Sequence, residues 1–500
     1  MPKKPNHFFK NISSNYFIYA AKLAVGLYAL PVCLAAYGSE IYGLYLLSFG
    51  LSSALAAFDL GSSRSIYRYT IEFGSDNNLE KFKTALDTSY SFNLFSAILT
   101  ATLIIILGQF STTLFNLPTD SKQTATTIFL LAAINTFITM LDAAPQSLIT
   151  ANNLFHARNK YIGVSIILNL MIILAVQYSS AINIELYAFL VTITSIFVWF
   201  MDHELVKSKN LLKGIKVSFK NLTYLKRSEY ADYSLQVFGL SLISFMAIQA
   251  DKLIIAIVLD TSAVTLYTII TKPYVVFKGI LAATIPVVQP KLNEYYFNNL
   301  SNNFIQLSRK FTRISFFIML CCTILIGLYY KDLLSIWLKT NIYNSYANWG
   351  IISMATLCLT LFYTQFLRTL LHSNKIKYII YFSIIGVSIN VITSTILSYY
   401  IGFQGVIIGT TVQIALELIY YKYLERKFIS TDKLNLTGYN YLIYIFTIIL
   451  LSVVCFIMLE YFITTYLLKI VSIIVLLSAF SIVMYMILIK ENIVKRATLH

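Results

Sequence analysis

Charge is scarce in this sequence. Only 12% of its 500 residues are Asp, Glu, Lys or Arg, 58% are hydrophobic, and the mean hydropathy is +0.71. Soluble domains carry roughly a quarter of their residues charged, so the composition excludes that class and indicates a membrane protein. Glycine is also sparse, at 18 residues, and the five cysteines (Cys33, Cys321, Cys322, Cys358, Cys455) all sit in apolar runs. Their number is odd and none forms a C-x-x-C pair, which excludes a disulfide or zinc framework and leaves small core residues. The five histidines (His7, His156, His203, His372, His500) are dispersed, so no metal site is indicated. There is no P-loop, G-x-S-x-G or H-E-x-x-H, and there are no paired carboxylates at catalytic spacing. An ATP-driven pump and an enzyme with a cofactor are therefore not expected.

Long apolar runs fill the chain instead. A helix needs about 20 apolar residues to cross a bilayer. Breaks at charges, Pro, Gly and Asn-rich turns predict fourteen spans, the first six near 16–37, 40–60, 88–110, 124–150, 161–180 and 184–206. The remaining eight lie near 233–257, 262–289, 311–330, 347–371, 378–401, 404–424, 438–460 and 464–489. The basic start MPKKPNHFFKN has no A-x-A-like site after it and reads as the flank of an uncleaved first span. Of the 38 basic residues, 29 fall in alternate gaps, including Arg64, Arg68, Arg158, Lys160 and a dense set between Lys207 and Arg227. The intervening gaps hold only Lys122, Lys331 and Lys339. Positive-inside bias then places both termini in the cytoplasm, requires an even number of spans, and makes the net charge of +16 a matter of topology, not nucleic-acid binding. The four N-x-[ST] sequons fall on the basic side and read as chance matches.

The sequence also repeats itself. LFHARNKYIGVSIILNL around His156 and LLHSNKIKYIIYFSIIGVSIN around His372 each give a basic turn, then a span with Asn169 or Asn390 in its middle, offset by about 216–221 residues. This suggests two parallel six-helix halves. The expected organisation is an N-terminal six-helix lobe at 1–206, a basic cytoplasmic linker at 207–232, a second lobe at 233–428, and two additional helices at 429–500.

Ionisable groups inside spans are costly and usually face a cavity or a partner. Here they are Lys22, Asp142, Asp251, Lys252, Lys272, Lys278, Arg368 and Glu417. Asp59 and the Asp202/Glu204 pair lie near span ends, where snorkelling suffices. Five of the eight are cationic, so the interior is expected to form a basic cavity suited to an anionic ligand, a diphosphate above all. Asp251 and Lys252 diverge by about 100° on a helix and need separate partners. Arg64 and Arg68, four apart after the Asp59-Leu60-Gly61 break, share a helix face where they meet lipid phosphates. Asp142, Asp251 and Glu417 are the acids available for ion coupling. Pro31, Pro145, Pro273, Pro286 and Pro290 loosen helices beside such a cavity.

The opening block GLYALPVCLAAYGSEIYGLYLLSFGLSSALAAFDLGSSRSIYRY resembles the first two spans of O-antigen and related polysaccharide flippases. That family belongs to the multidrug/oligosaccharidyl-lipid/polysaccharide exporter superfamily. The similar features are a YG-E-x-YG-L turn (Tyr37 to Leu44), a D-L-G followed by Arg64 and Arg68, ADKLIIAIVL with a Y-x-x-x-x-K-P run from Tyr267 to Pro273, and Asn390 with GFQGVIIGTTVQ. The resemblance implies an all-α integral membrane protein in a 6+6+2 layout that flips an undecaprenyl-diphosphate-linked oligosaccharide, an O-antigen, lipopolysaccharide or capsule repeat unit. Flipping would run from the inner to the outer leaflet of a bacterial plasma (inner) membrane. It further implies coupling to H+ or Na+, with membrane lipids, a polysaccharide polymerase and a chain-length regulator as partners. Asp59, Arg64, Asp251 and Lys252 match the family's charged motifs by position. The substrate-binding set is Lys22, Arg64, Arg68, Lys252, Lys272, Lys278 and Arg368. The rivals are a cation-coupled multidrug antiporter of the same superfamily, which should have an acidic or apolar cavity, and a polysaccharide polymerase or ligase. No low-charge gap exceeds about 20 residues, which leaves such an enzyme little room for a catalytic outer loop.

Overall fold

The structure, a computed structural model, describes residues 5–55, 79–115, 121–152, 154–179, 181–212, 249–280, 301–371 and 376–428, with a few isolated positions between. All regular structure among them is helical. In hydrocarbon every backbone N–H and C=O must be satisfied within its own segment, and a helix does this for any apolar sequence. The elements are α1 (Pro5–Leu55), α2 (Leu79–Gln109), α3 (Lys122–Ala151), α4 (Phe155–Tyr178), α5 (Ile184–Ser208), α6 (249–258), α7 (Thr261–Ile270), α8 (272–280), α9 (Ser301–Leu338), α10 (Ala347–Leu371), α11 (Ile376–Ile401) and α12 (Gln404–Phe428). Among the described residues six helices are long and apolar enough to cross a membrane, seven with the bent α9. The chain is thus of multi-pass membrane type. The expected spans at 438–460 and 464–489, and residues 233–248 and 281–289 of two others, lie outside the described residues.

Helix α1 holds the first expected span and residues 40–55 of the second, whose residues 56–60 lie outside the described ones. Its 51 residues are helical except at Gly38, where φ is 76° and ψ is 169°. Near residue 15, Asn159 at the start of α4 donates to Ser14 and Asn15, at 2.9 and 2.6 Å. Near the break, the Tyr37 hydroxyl donates to the carbonyl of Ile182, just beyond α4, at 3.1 Å. The chain then returns: Tyr45 packs at a tilt against Tyr187 of α5, and Ser52 accepts from Asn135 and Thr136 midway along α3. Gly38 takes the left-handed backbone that this reversal requires and that side chains rarely allow.

The ends of α3 and α5 fall within two residues of expectation, whereas α2 begins nine residues before its expected span and α9 ten before. Charge marks where hydrocarbon ends, but a helix continues past it. Two starts are capped by side chains: Asn183 Oδ1 accepts from Leu186 N at 2.9 Å, and Asp260 Oδ1 from Ala263 N at 2.7 Å.

The chain divides into two compact units, one of 1–269 with 387–409 and the other of 270–386 with 410–500. In the first, Phe82 and Leu86 of α2 meet Ala144, Leu148 and Ile149 of α3 and Val206 of α5. Ile18, Ala21 and Val25 of α1 pack on Tyr161, Ile162 and Ile166 of α4. In the second, Phe316, Met319 and Leu320 of α9 meet Met354, Leu357, Cys358 and Leu361 of α10, and α9 bends by 71° around Gly327.

Within the first unit α12 starts against α11 through Gly405 and Gly409. A Cβ at Gly405 would lie 2.4 Å from the Leu397 carbonyl carbon, and one at Gly409 would lie 2.1 Å from Ser394 Oγ. This is a G-x-x-x-G approach, in which small residues let two backbones touch. Gly405→Leu is expected to destabilise the protein by about 1–3 kcal/mol or more, because the new side chain would meet the backbone of Leu397 and Ser398. Thermal unfolding of the purified protein in detergent checks this, with Val412→Leu, at an exposed position of the same helix, as the control.

Candidate functional site

Buried acids mark three polar clusters, of which the first is built from helices distant in sequence. The first surrounds Asp251 on α6. The Tyr267 hydroxyl of α7 donates to its Oδ2 at 2.8 Å, and Asn390 Nδ2 of α11 lies 3.5 Å from its Oδ1. Ser394 Oγ donates to Asn390 Oδ1 at 2.6 Å, which fixes the amide so that its NH2 faces the carboxylate. Gly409 keeps this corner open, since a Cβ there would also lie 3.0 Å from Asn390 Oδ1. Asn390 and Ser394 have no solvent exposure.

Lys252 diverges from Asp251, as adjacent helical positions must. Its Nζ would lie 3.4 Å from a Cβ at Gly50 of α1, and Gln249 Oε1 3.5 Å from the same point. One helical face lower, a Cβ at Gly43 would collide with the Thr261 carbonyl oxygen at 1.9 Å. The returning half of α1 thus presents Gly43 and Gly50, seven apart and on one face, to α6 and α7. A Cβ at position 50 would rest in ordinary contact with the ammonium.

The second cluster joins α3, α4 and α5. Arg158 Nε lies 3.0 Å from both carboxylate oxygens of Asp202, and Nη2 lies 2.9 Å from Asp202 Oδ2. The same Nη2 reaches Asp142 Oδ2 at 3.4 Å. The Tyr161 hydroxyl also donates to Asp202. Asp202 is fully buried, which corrects the expectation that it snorkels: a bidentate guanidinium satisfies it inside the bundle. Asp142 Oδ1 is buried with no hydrogen-bond partner. Lys22 on α1 is exposed and within electrostatic reach of Arg158.

The third acid, Glu417 on α12, belongs to the second unit. Gln413 Nε2 donates to its Oε1 at 2.7 Å, and a Cβ at Gly386 of α11 would lie 3.1 Å from that oxygen. Of the remaining expected cations, Lys272 is partly buried on α8. Lys278 is exposed, with Nζ 3.3 Å from the Tyr274 hydroxyl and 5.2 Å above its ring. Arg64 and Arg68 lie outside the described residues, as does the side chain of Arg368. Asp142 and Asp251 belong to separate clusters. Among the described residues no group of three His, Cys, Asp or Glu could hold a metal ion.

Sequence reasoning missed Arg158 and Asp202 as interior groups, and missed the glycines at which helices approach closely. Readable signals existed: Gly405-Val-Ile-Ile-Gly409 is a G-x-x-x-G, and Gly43 and Gly50 sit seven apart. Asn169, the counterpart of Asn390 in the repeat, has its own polar partner in Thr194 of α5, with Nδ2 at 3.2 Å from Oγ1.

No family model matches the sequence, and no curated protein sequence does. Solved structures do match. A lipid II flippase, MurJ, in an inward closed conformation has a TM-score of 0.73 at 16% identity, covering 95% of this chain and 98% of its own. An outward-facing multidrug resistance MATE family transporter of the MOP superfamily gives 0.60 at 14% identity, covering 84% and 95%. A MOP superfamily transporter from Pyrococcus furiosus Vc1, described by a binding pocket of reversed polarity that suggests a different function, gives 0.58 at 15%, covering 85% and 94%. The chain therefore has the fold of MOP superfamily transporters. Arg158→Ala is expected to lower stability by about 3–5 kcal/mol, because it strands two buried carboxylates. Thermal melts in detergent check this, and Asp142→Asn in the same background should recover part of the loss.

Proposed function

We propose that the protein flips a lipid-linked oligosaccharide carried on a diphosphate from the cytoplasmic to the outer leaflet of a bacterial plasma membrane, driven by an ion gradient. The observation that carries the reading is Lys252, half-buried on α6 with its ammonium against α1, 3.4 Å from where a Cβ at Gly50 would stand. A cation in the interior of a bundle with transporter fold suits an anionic head group. The extent of likeness also favours it: the flippase neighbour spans 95% of the chain, the MATE neighbours 81–85%.

Lys22, Lys252, Lys272, Lys278 and Arg368 would supply the charge and donors that carry the diphosphate, while Arg64 and Arg68 meet it at the cytoplasmic lip. The polyprenyl tail stays in lipid, and the sugars move with the head group. Asp142, Asp251 and Glu417 are the acids at which an ion resets the protein, and Asp251, with hydroxyl and amide neighbours, offers the most oxygen-rich setting of the three. An undecaprenyl carrier with an O-antigen or capsule repeat unit is the proposed substrate, and a polymerase with its chain-length regulator would receive the product. The multidrug antiporter reading shares the fold and is separated by substrate.

Reconstitution with labelled lipid-linked oligosaccharide, read as leaflet distribution with and without a proton or sodium gradient, tests the proposal. Charge reversal of Lys22, Lys252, Lys272 and Lys278 together should abolish flipping. Unchanged flipping in that variant, or gradient-driven uptake of cationic drugs with no lipid movement, would overturn it.

A further inference from the structure

The cluster of Asp142, Arg158 and Asp202 places two carboxylates around one guanidinium inside the first unit, and the guanidinium is not shared evenly. Asp202 receives Nε and Nη2 of Arg158 and the Tyr161 hydroxyl. Asp142 receives one contact of 3.4 Å at Oδ2, and its Oδ1 is buried without a donor. A buried carboxylate in that position is a large uncompensated cost, and two carboxylates sharing one cation do not both ionise comfortably.

We infer that Asp142 is a proton-binding site, with the proton held on Oδ1 and Arg158–Asp202 as the fixed ion pair beside it. This deepens the ion-coupling part of the function proposed above and rests on it for its role in transport. The proton comes from water-borne acid at the end of the bundle where α3 meets α4. It forms one O–H bond at Oδ1, breaks no bond within the protein, and takes the three-residue cluster from a charge of −1 to neutral.

A metal cation does not fit the same place, because the guanidinium of Arg158 already stands 3.4 Å from the carboxylate and repels it. The charged and titratable neighbours agree. From α4 come Arg158 and Tyr161, and from α5 Asp202. From α2 comes Tyr90, which lies within electrostatic reach, with the buried Asp87 three residues earlier. From α1 comes Lys22, within electrostatic reach of Arg158. Protonation removes the attraction between Asp142 and Arg158 and leaves the bidentate pair with Asp202 intact. It therefore loosens α3 from α4 while α4 and α5 stay joined.

The test uses the purified full chain in detergent with no substrate. In wild-type protein the infrared band of a protonated carboxyl should disappear as pH is raised, with one more proton released per molecule than in Asp142→Asn. The band should not respond to Na+ at constant pH. Asp142→Glu keeps an ionisable group and should keep the band at a shifted midpoint, so the test stands even if Asp142→Asn folds poorly. In vesicles, a pH gradient should accelerate flipping by wild type and leave the Asp142→Asn rate unchanged. Equal proton release from wild type and Asp142→Asn, a wild-type band that titrates with Na+, or an unaltered gradient response in Asp142→Asn would overturn the inference. Correct titration in a wild-type protein that moves no lipid-linked oligosaccharide would overturn the flippase reading and leave the proton site standing.

Discussion

A polar group inside hydrocarbon must find its partner within the protein, and the rest of this structure follows from that constraint. It imposes helices, because only a helix satisfies its own backbone without water. It also decides where the side-chain oxygens go. Ser, Thr and Asn on α2 and α3 hydrogen-bond to the preceding turn or to a facing helix, as Thr136 does to both Ala132 and Ser52. Interior acids find donors on other helices or on their own: Arg158 from α4 to Asp202 on α5, Tyr267 from α7 to Asp251 on α6, and Gln413 to Glu417 along α12, while Asp142 Oδ1 is left without one. The polar clusters hold the bundle in register, while the apolar residues fill the space between them.

The space itself is made by glycine. Sparse as it is, it stands where it is needed: Gly38 reverses α1, Gly43 admits α7, and Gly405 and Gly409 admit α11. A residue count reads as few hinges. The contacts show instead that several glycines serve close approach between helices, which is the commoner use of small residues where two membrane helices meet.

Much of this was legible in the sequence. The ends of α3 and α5, the turn near residue 38, the burial of Asp142, Asp251 and Glu417, and the divergence of Asp251 from Lys252 all follow from hydropathy and the 100° helical step. The pairing of Arg158 with Asp202 did not, because the two are 44 residues apart and each lies near a helix end where a local reading allows solvent. Whether such a group is wet depends on which helices converge there, and single-span hydropathy carries no information about that. The early start of α2 was missed for a related reason. Its charged first turns and the buried Asp87 read as a loop, yet the helix carries them into the bundle.

The close approaches of glycine bear on how such a chain can diverge. Lipid accepts any apolar side chain of tolerable shape, so outward positions such as Ile167, Met171 and Ile396 can drift among Leu, Ile, Val, Met and Phe without altering the bundle. At Gly43, Gly405 and Gly409 the neighbouring atoms already occupy the volume of a methyl group, so drift there is barred by geometry whatever the selection on transport. What the fold holds fixed here is a pattern of vacancies more than a set of side chains. Two proteins can then share only 16% of their residues and still superpose over nearly their full lengths.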